Sequence, residues 1–455
     1  PDMRITSLDV DSSDNIIVGY DSSGNYAGVV KLLSADGTIS SSMYYGTYGA
    51  INNLRGVAVD GNDNIFTAGE GKDVWNSQDG YIFRMTSSLS KSYNSFFGEG
   101  YSDEHWDVAA DNSGNAYVVG ESRSYAANWS SDPKGHIVKY NSTGEVWKRL
   151  IASNGFRSYP KGVSTDGVHP YVIGKDHNFP IWIAKLNGSG PSVTWSANWG
   201  SSSAETRYMD IDTNSSGESA ILMYDGNAIH VAKIDSNGFA NMAAGGTPNS
   251  TDYWRRTWTK ASTDAGDENG PSYNYTPGFA VKLLSNGSVA LLAGNFPWVG
   301  ASYRKSFYVI VWDSTGNVTV QKEFRLLSTL SGYYLNHNTA QKGITELSDG
   351  KIVVCWSYYK GSNSASAGHG NTVFKFDPTD TSNAINGVHG DWVISDITDG
   401  TSANSTVQYS HYSEVSGSVF LDSSMSMYSK GGFQGSTNGY GSSTLTTTQG
   451  AISTL

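Results

Sequence analysis

The chain of 455 residues carries a net charge of −12 and no basic run, which excludes the phosphate-neutralising stripe of a nucleic-acid binder. Charged residues make up 16%, while Gly (52), Tyr (28) and Trp (13) are plentiful, and this aromatic content excludes a disordered chain. No apolar run approaches the roughly 20 residues of a membrane-spanning helix, and a single cysteine excludes an internal disulfide.

Taken in chain order, short strands with alternating residues are separated by Asx/Gly turns. The first is Val10-Asp11-Ser12-Ser13-Asp14-Asn15, leading into Ile16-Ile17-Val18-Gly19. The same turn recurs at Asp60, at Asp111-Asn112-Ser113-Gly114-Asn115, at Asp166 and at Asp212. Without its Asp it recurs at Ser285-Asn286-Gly287 and Ser348-Asp349-Gly350. Glycine supplies a positive φ and Asp or Asn bonds its own backbone, so each tetrapeptide reverses a strand. One strand later runs a second column, Lys31, Arg84, Lys139, Lys185, Lys233 and Lys375, with Val311 in the same slot. Lys31, Arg84 and Lys139 stand 53 and 55 residues apart, near the roughly 40–50 residues of one propeller blade. Longer steps later in the chain imply loop insertions.

Two columns with a common period predict an all-β fold: a β-propeller of seven blades, each of four antiparallel strands. Residues 414–421 read as the start of an eighth blade. The propeller is assigned to residues 1–395, and 396–455 to a C-terminal extension ending in a Ser/Gly/Thr-rich tail. The single Cys355 lies in an apolar strand and reads as a small buried hydrophobe.

In such a blade the first-to-second and third-to-fourth turns share one face. The second-to-third and blade-to-blade connections share the other, and the length variation falls on that second face. Aromatic residues in these long connections, Trp75, Tyr125, Trp129, Trp298, Tyr358 and Tyr359, are predicted to form a binding surface for a partner or ligand. The insertion of residues 239–276 adds Trp254, Arg255, Arg256 and Trp258, an aromatic–basic cluster suited to anchoring a glycan or a protein. An outer strand with both tryptophans on one face accounts for the same four residues.

No metal-ligand spacing, phosphate loop or nucleophile elbow is present, so no catalytic residue and no metal ligand is assigned. No cofactor is expected. The Asp-rich turns lack the later bidentate Glu of an EF-hand, leaving weak surface calcium as the outside alternative to Asx caps.

The stretches Gly56-Val57-Ala58-Val59-Asp60 and Asn115-Ala116-Tyr117-Val118-Val119-Gly120 resemble the repeat of NHL-like and bacterial SBBP-type β-propellers. Such propellers occur on bacterial surfaces and in phage virions, where they bind or scaffold. The resemblance implies a non-catalytic extracellular, cell-surface or virion component, such as a phage tail piece, contacting a surface glycan or a protein partner in a larger assembly. A secreted propeller hydrolase or lyase acting on polysaccharide, and a purely structural filament subunit, are the alternatives.

Overall fold

A computed structural model describes residues 3–22, 26–35, 37–45, 51–72, 78–98, 101–125, 133–151, 158–176, 181–199, 208–224, 229–236, 253–258, 278–295, 305–326, 333–335, 342–360, 369–378, 390–395, 408–413 and 419–426. Every regular element among them is a β-strand.

The first sheet runs in order through β1 (Met3–Val10), β2 (Ile16–Ser22), β3 (Tyr26–Leu32) and β4 (Ile39–Tyr45). The second is β5 (Ile51–Val59) to β8 (Lys91–Phe97), through β6 (Ile65–Lys72) and β7 (Gln78–Met85). The third is β9 (Asp103–Ala110), β10 (Ala116–Ser122), β11 (Lys134–Asn141) and β12 (Gly144–Ile151). The fourth comprises β13 (Ser158–Thr165), β14 (Pro170–Asp176), β15 (Ile181–Leu186) and β16 (Val193–Trp199). The fifth comprises β17 (Tyr208–Thr213), β18 (Ser219–Tyr224), β19 (Ile229–Ile234) and β20 (Arg255–Trp258). The sixth has β21 (Gly278–Leu283), β22 (Val289–Asn295), β23 (Lys305–Trp312) and β24 (Val318–Leu326). All are antiparallel meanders, the blades of a β-propeller.

Six regular blades stand where the repeat count predicts seven. The last repeat builds a different sheet, with β25 (Tyr333–Leu335) and β26 (Ile344–Glu346) both paired to β27 (Ile352–Lys360), followed by β28 (His369–Phe376) and β29 (Gly390–Ser395). Its inner position is thus held by a three-residue strand, because residues 333–335 pair with the far half of β27 instead of continuing β26. Among the described residues no eighth blade is formed either. Val419, Phe420 and Leu421 belong to β31 (Val419–Ser426), which hairpins with β30 (Gln408–Ser413). That hairpin meets the outer edge of the sixth sheet at Leu326 and Tyr409, where an edge strand offers unpaired backbone groups.

The core lies between sheets, since alternate residues of one strand face opposite neighbours. Ile17 and Val29 of the first sheet pack with Leu54, Tyr81 and Phe83 of the second. Ile16, Val18 and Val30 point the other way and pack with Leu347, Val353, Cys355 and Val373 of the last sheet, which closes the ring. Cys355 is fully buried there, and burial pushes its thiol well above the ordinary range.

The two sequence columns are two halves of one contact. Lys31 Nζ lies 2.6 Å from Asp11, Lys185 3.1 Å from Asp166, and Lys375 3.6 Å from Asp349. The same ammonium reaches the next sheet's outer turn: Lys31 to Ser87 O, Lys139 to Gly188 O, and Lys375 to Ser34 O. The last of these joins the end of the ring to its beginning through the contact the first sheet makes with the second. Arg84 departs, its guanidinium lying over the Phe66 ring. Asp212 also departs from the sequence reading, because Asn214 opens the turn of the fifth sheet and Asp212 stays in the inner strand.

A second closing contact has the same logic. At the fourth turn position, where other sheets place a glycine such as Gly114 (φ 82°), the first two sheets place Asp14 (φ 60°) and Asp63 (φ 61°). A non-glycine residue in this left-handed region is strained by roughly 1 kcal/mol or more. Both side chains repay it by accepting from the preceding sheet. Ser12 N and Oγ donate to Asp63 at 2.8 and 2.7 Å, and Ser348 N and Oγ donate to Asp14 in the same way.

Candidate functional site

The inner strands β1, β5, β9, β13, β17 and β21, with β26, line a channel whose cavity of about 190 Å³ is bordered by Asp9, Asp212, Thr213, Lys282, Lys342 and Thr345. One or two polar side chains on each of β1, β9, β13 and β17 decide what this channel can do. Asp9 accepts from Val59 N at 2.8 Å, Asp107 from Val163 N at 2.8 Å, Asp210 from Val281 N at 2.8 Å and Asp212 from Leu283 N at 2.9 Å. Ser7 and Ser164 do the same for Val57 N and Thr213 N. In each case a side chain of one inner strand takes a backbone N–H of the next. These carboxylates tie blade to blade.

Lys342 completes the arrangement. Held at φ 59°, it extends across the channel and donates to Val108 O at 2.9 Å and Val163 O at 2.5 Å, with Asp107 Oδ2 at 3.2 Å. Burial raises the carboxyls of Asp9 and Asp107, against the pull of Lys282 and Lys342 respectively. For Asp210 burial outweighs Lys342, Asp107 adds like charge, and the carboxyl is pushed up to about 7. Burial disfavours the Lys282 ammonium, but Asp212 and Asp9 outweigh it and raise that group.

The sign of a pH prediction follows. Asp210 holds its proton more tightly folded than unfolded, so its contribution to stability is full below about pH 4 and is lost as pH rises through about 7. Asp210→Asn is expected to flatten that loss, at the cost of one of the two N–H bonds that Ile211 and Val281 supply. Urea midpoints of both proteins from pH 4 to 8 check it. Parallel curves would contradict it.

Nearer the loop-bearing face, each of several inner strands carries a bulge five residues before its turn. The register skips Thr6, Arg55, Trp106, Lys161 and Phe279. A bulge re-aims its side chain, and three of these meet. The Arg55 guanidinium lies 4.4 Å and Lys161 Nζ 3.2 Å from the Trp106 ring centroid. Glu70 stands 3.7 Å from Arg55, and Glu121 accepts from Lys161 at 2.8 Å. Burial lowers the Lys161 ammonium, with Glu121 opposing. The indole N–H of Trp106 is buried and bonds nothing among the described residues.

Of the residues singled out from the sequence, Trp75, Trp129 and Trp298 lie outside the described residues. Tyr358 and Tyr359 stand at the far end of β27, opposite Leu335 and Tyr334, and Trp258 ends β20; their side chains are outside the described set. Tyr125 is half-buried against Phe97 at 5.6 Å, under Lys148 at 4.9 Å. Trp254 is a correction: 3% exposed, it packs on Trp312 and donates its indole N–H to Ser314 O at 3.1 Å. Arg256 bonds Gly316 O at 2.6 Å, and Arg255 faces His230 at 3.4 Å. Trp254 and Arg256 therefore fasten the fifth blade to the sixth.

The Asp-rich turns are filled by their own donors. Asp11 takes Ser13 N, Asn15 N and the Asn15 side chain, with the Lys31 ammonium beside it. Arg55, Trp106, Lys161 and Lys342 were missed from sequence. The signal that finds them is a fixed offset, five residues before the first residue of each turn.

The fold and channel define the class: a β-propeller ring tied through its inner strands. No family model matches the chain, and no curated protein matches it. Among solved structures it is similar to a prolyl endopeptidase, at a TM-score of 0.47 and 10% identity, over 90% of this chain and 53% of that one. The chain spans about half the length of that structure, and the likeness concerns fold alone.

Proposed function

We propose that this chain is a non-catalytic surface propeller, of extracellular or virion location, that holds a glycan or a neighbouring protein on its loop-bearing face. In this reading the β25–β29 sheet serves as a seventh blade. The observation that carries it is the commitment of the channel. Asp9, Asp107, Asp210 and Asp212 each accept a backbone N–H of the next blade, and Lys342 spans the axis. Groups bound in this way make a rigid frame, and a rigid frame with variable connections on one face suits recognition. The Arg55–Trp106–Lys161 group belongs to the half of the channel nearer that face and is the floor on which a ligand held by the loops would rest.

A hydrolase is favoured by one observation. A Cβ on Gly98 would lie 2.2 Å from Asp103 Oδ2 and 2.7 Å from Asp79 Oδ1, so these two buried carboxylates are at most about 5 Å apart. That spacing resembles a retaining glycosidase pair. Asp103 has no exposed surface and Asp79 only 3%, which weighs against contact with a polymer.

A glycan array probed with the parent chain, Trp106→Ala, Trp129→Ala and Trp298→Ala tests the reading. Binding by the parent, weakened at least about tenfold in one variant of unchanged melting temperature, supports it. Release of reducing ends from a polysaccharide, abolished in Asp103→Asn, would replace it with the hydrolase.

A further inference from the structure

His105 on β9 and His136 on β11 lie in the seam between the second and third blades, and neither has exposed surface. Their ring centroids are 5.2 Å apart, and Phe97 at the end of β8 packs on both, at 5.5 and 4.4 Å. Of the four ring nitrogens one has a partner. His105 Nδ1 donates to Tyr81 O at 3.0 Å, while His105 Nε2 and both nitrogens of His136 bond nothing among the described residues. Two neutral imidazoles are an expensive way to fill an apolar seam, since three of their four buried nitrogens have given up water without a replacement among the described residues. What they add over two phenyl rings is the capacity to take a proton.

We propose that the His105–His136 pair is an acid-triggered release: a proton entering the seam charges one imidazole, finds no acceptor there, and parts the second and third blades beneath the Tyr125 segment of the loop-bearing face. Among the described residues no carboxylate bonds or pairs with either imidazole to compensate that charge. From β7 the seam receives the Tyr81 carbonyl and, at its edge by Gly98, Asp79, from β8 Tyr93 and Phe97, from β9 Asp103, from β11 Tyr140, and from β12 Glu145 and Lys148. Asp103 is engaged by Ser124 Oγ at 2.5 Å, and burial raises its carboxyl, so acid neutralises it more readily than a solvated carboxylate. Lys148 repels an imidazolium at His136.

Burial holds His105 down to about 4 and His136 well below the ordinary range, with His105 and Lys148 adding to the latter. A depressed folded-state value means the seam is fully stable above about pH 6.5 and weakens as pH falls toward 4. The route outward is short. Phe97 touches His136 at 4.4 Å and Tyr125 at 5.6 Å, and Lys148 bonds the Tyr125 hydroxyl at 3.2 Å.

The test is hydrogen exchange of the full chain between about pH 7.5 and 4.5, expressed as protection after correction for the intrinsic rate. Protection in β8, β11 and residues 122–125 is expected to fall at least about tenfold on acidification, while the seam of the fourth and fifth blades keeps its own. His136→Phe and His105→Gln should each move the onset down by about one pH unit or more, and His169→Asn, at an outer turn, should leave it in place. If His136→Phe does not fold, His105→Gln decides alone. Unchanged protection of the seam, simultaneous loss in every blade, or an onset that neither variant moves overturns the proposal.

Discussion

Lys342→Met is expected to destabilise the protein by about 3–5 kcal/mol, the cost of breaking a buried charged network by removing one partner. Methionine keeps the length of the side chain, so the loss is electrostatic. Val108 O and Val163 O lose their donor, and Asp107 loses the ammonium 3.2 Å away. Asp107 and Asp210 recover part of this by binding protons, because Lys342 is the strongest of the influences that oppose the upward push of burial on both. The deficit is therefore larger at about pH 8 than at pH 5. Urea unfolding at both values measures it, with the slope m showing whether the transition stays cooperative. A change below about 1 kcal/mol would mean that the channel does not depend on the cross-axis contact.

Trp254→Ala is expected to cost about 3–5 kcal/mol, the range for a buried tryptophan reduced to alanine. The ring packs at 6.1 Å from Trp312, its N–H reaches Ser314 O, and the Gly316 turn closes over it so tightly that a Cβ there would sit 2.7 Å from the indole. The loss should appear as a lower melting temperature, with ligand binding intact wherever the variant remains folded. A variant of parental stability that no longer binds would return Trp254 to the recognition surface that the sequence assigns it.

These two residues mark where the sequence is legible. The Lys and Asp columns were readable because each repeats at one blade's spacing, and the structure joins them as a single contact, as between Lys31 and Asp11. Trp254 stayed between an anchor and an outer-strand residue because an outer strand alternates between solvent and the neighbouring blade, and residue type alone does not fix which side a tryptophan takes. Lys342 stands at the same offset from its turn as the other bulge residues, but its partners are far off in the chain. The 64-residue step from Val311 to Lys375 and the split between β25 and β26 blur the last repeat's period. Its role also depends on Val108 and Val163, 234 and 179 residues away. The bulge residues Arg55, Trp106 and Lys161 stood at a constant offset from their turns. Only the register shows that the offset marks the axis.

The most direct measurement on the closed ring is a disulfide across its joint. Ser348 and Asp14 meet through the same atoms as Ser12 and Asp63. If the last sheet occupies the place between the sixth blade and the first, Asp14→Cys with Ser348→Cys should oxidise as readily as Ser12→Cys with Asp63→Cys. Both products should migrate faster on non-reducing gels, and the first should gain more thermal stability because its loop is far longer. A bridge in the Ser12–Asp63 pair and none in the Asp14–Ser348 pair would mean that the ring is open.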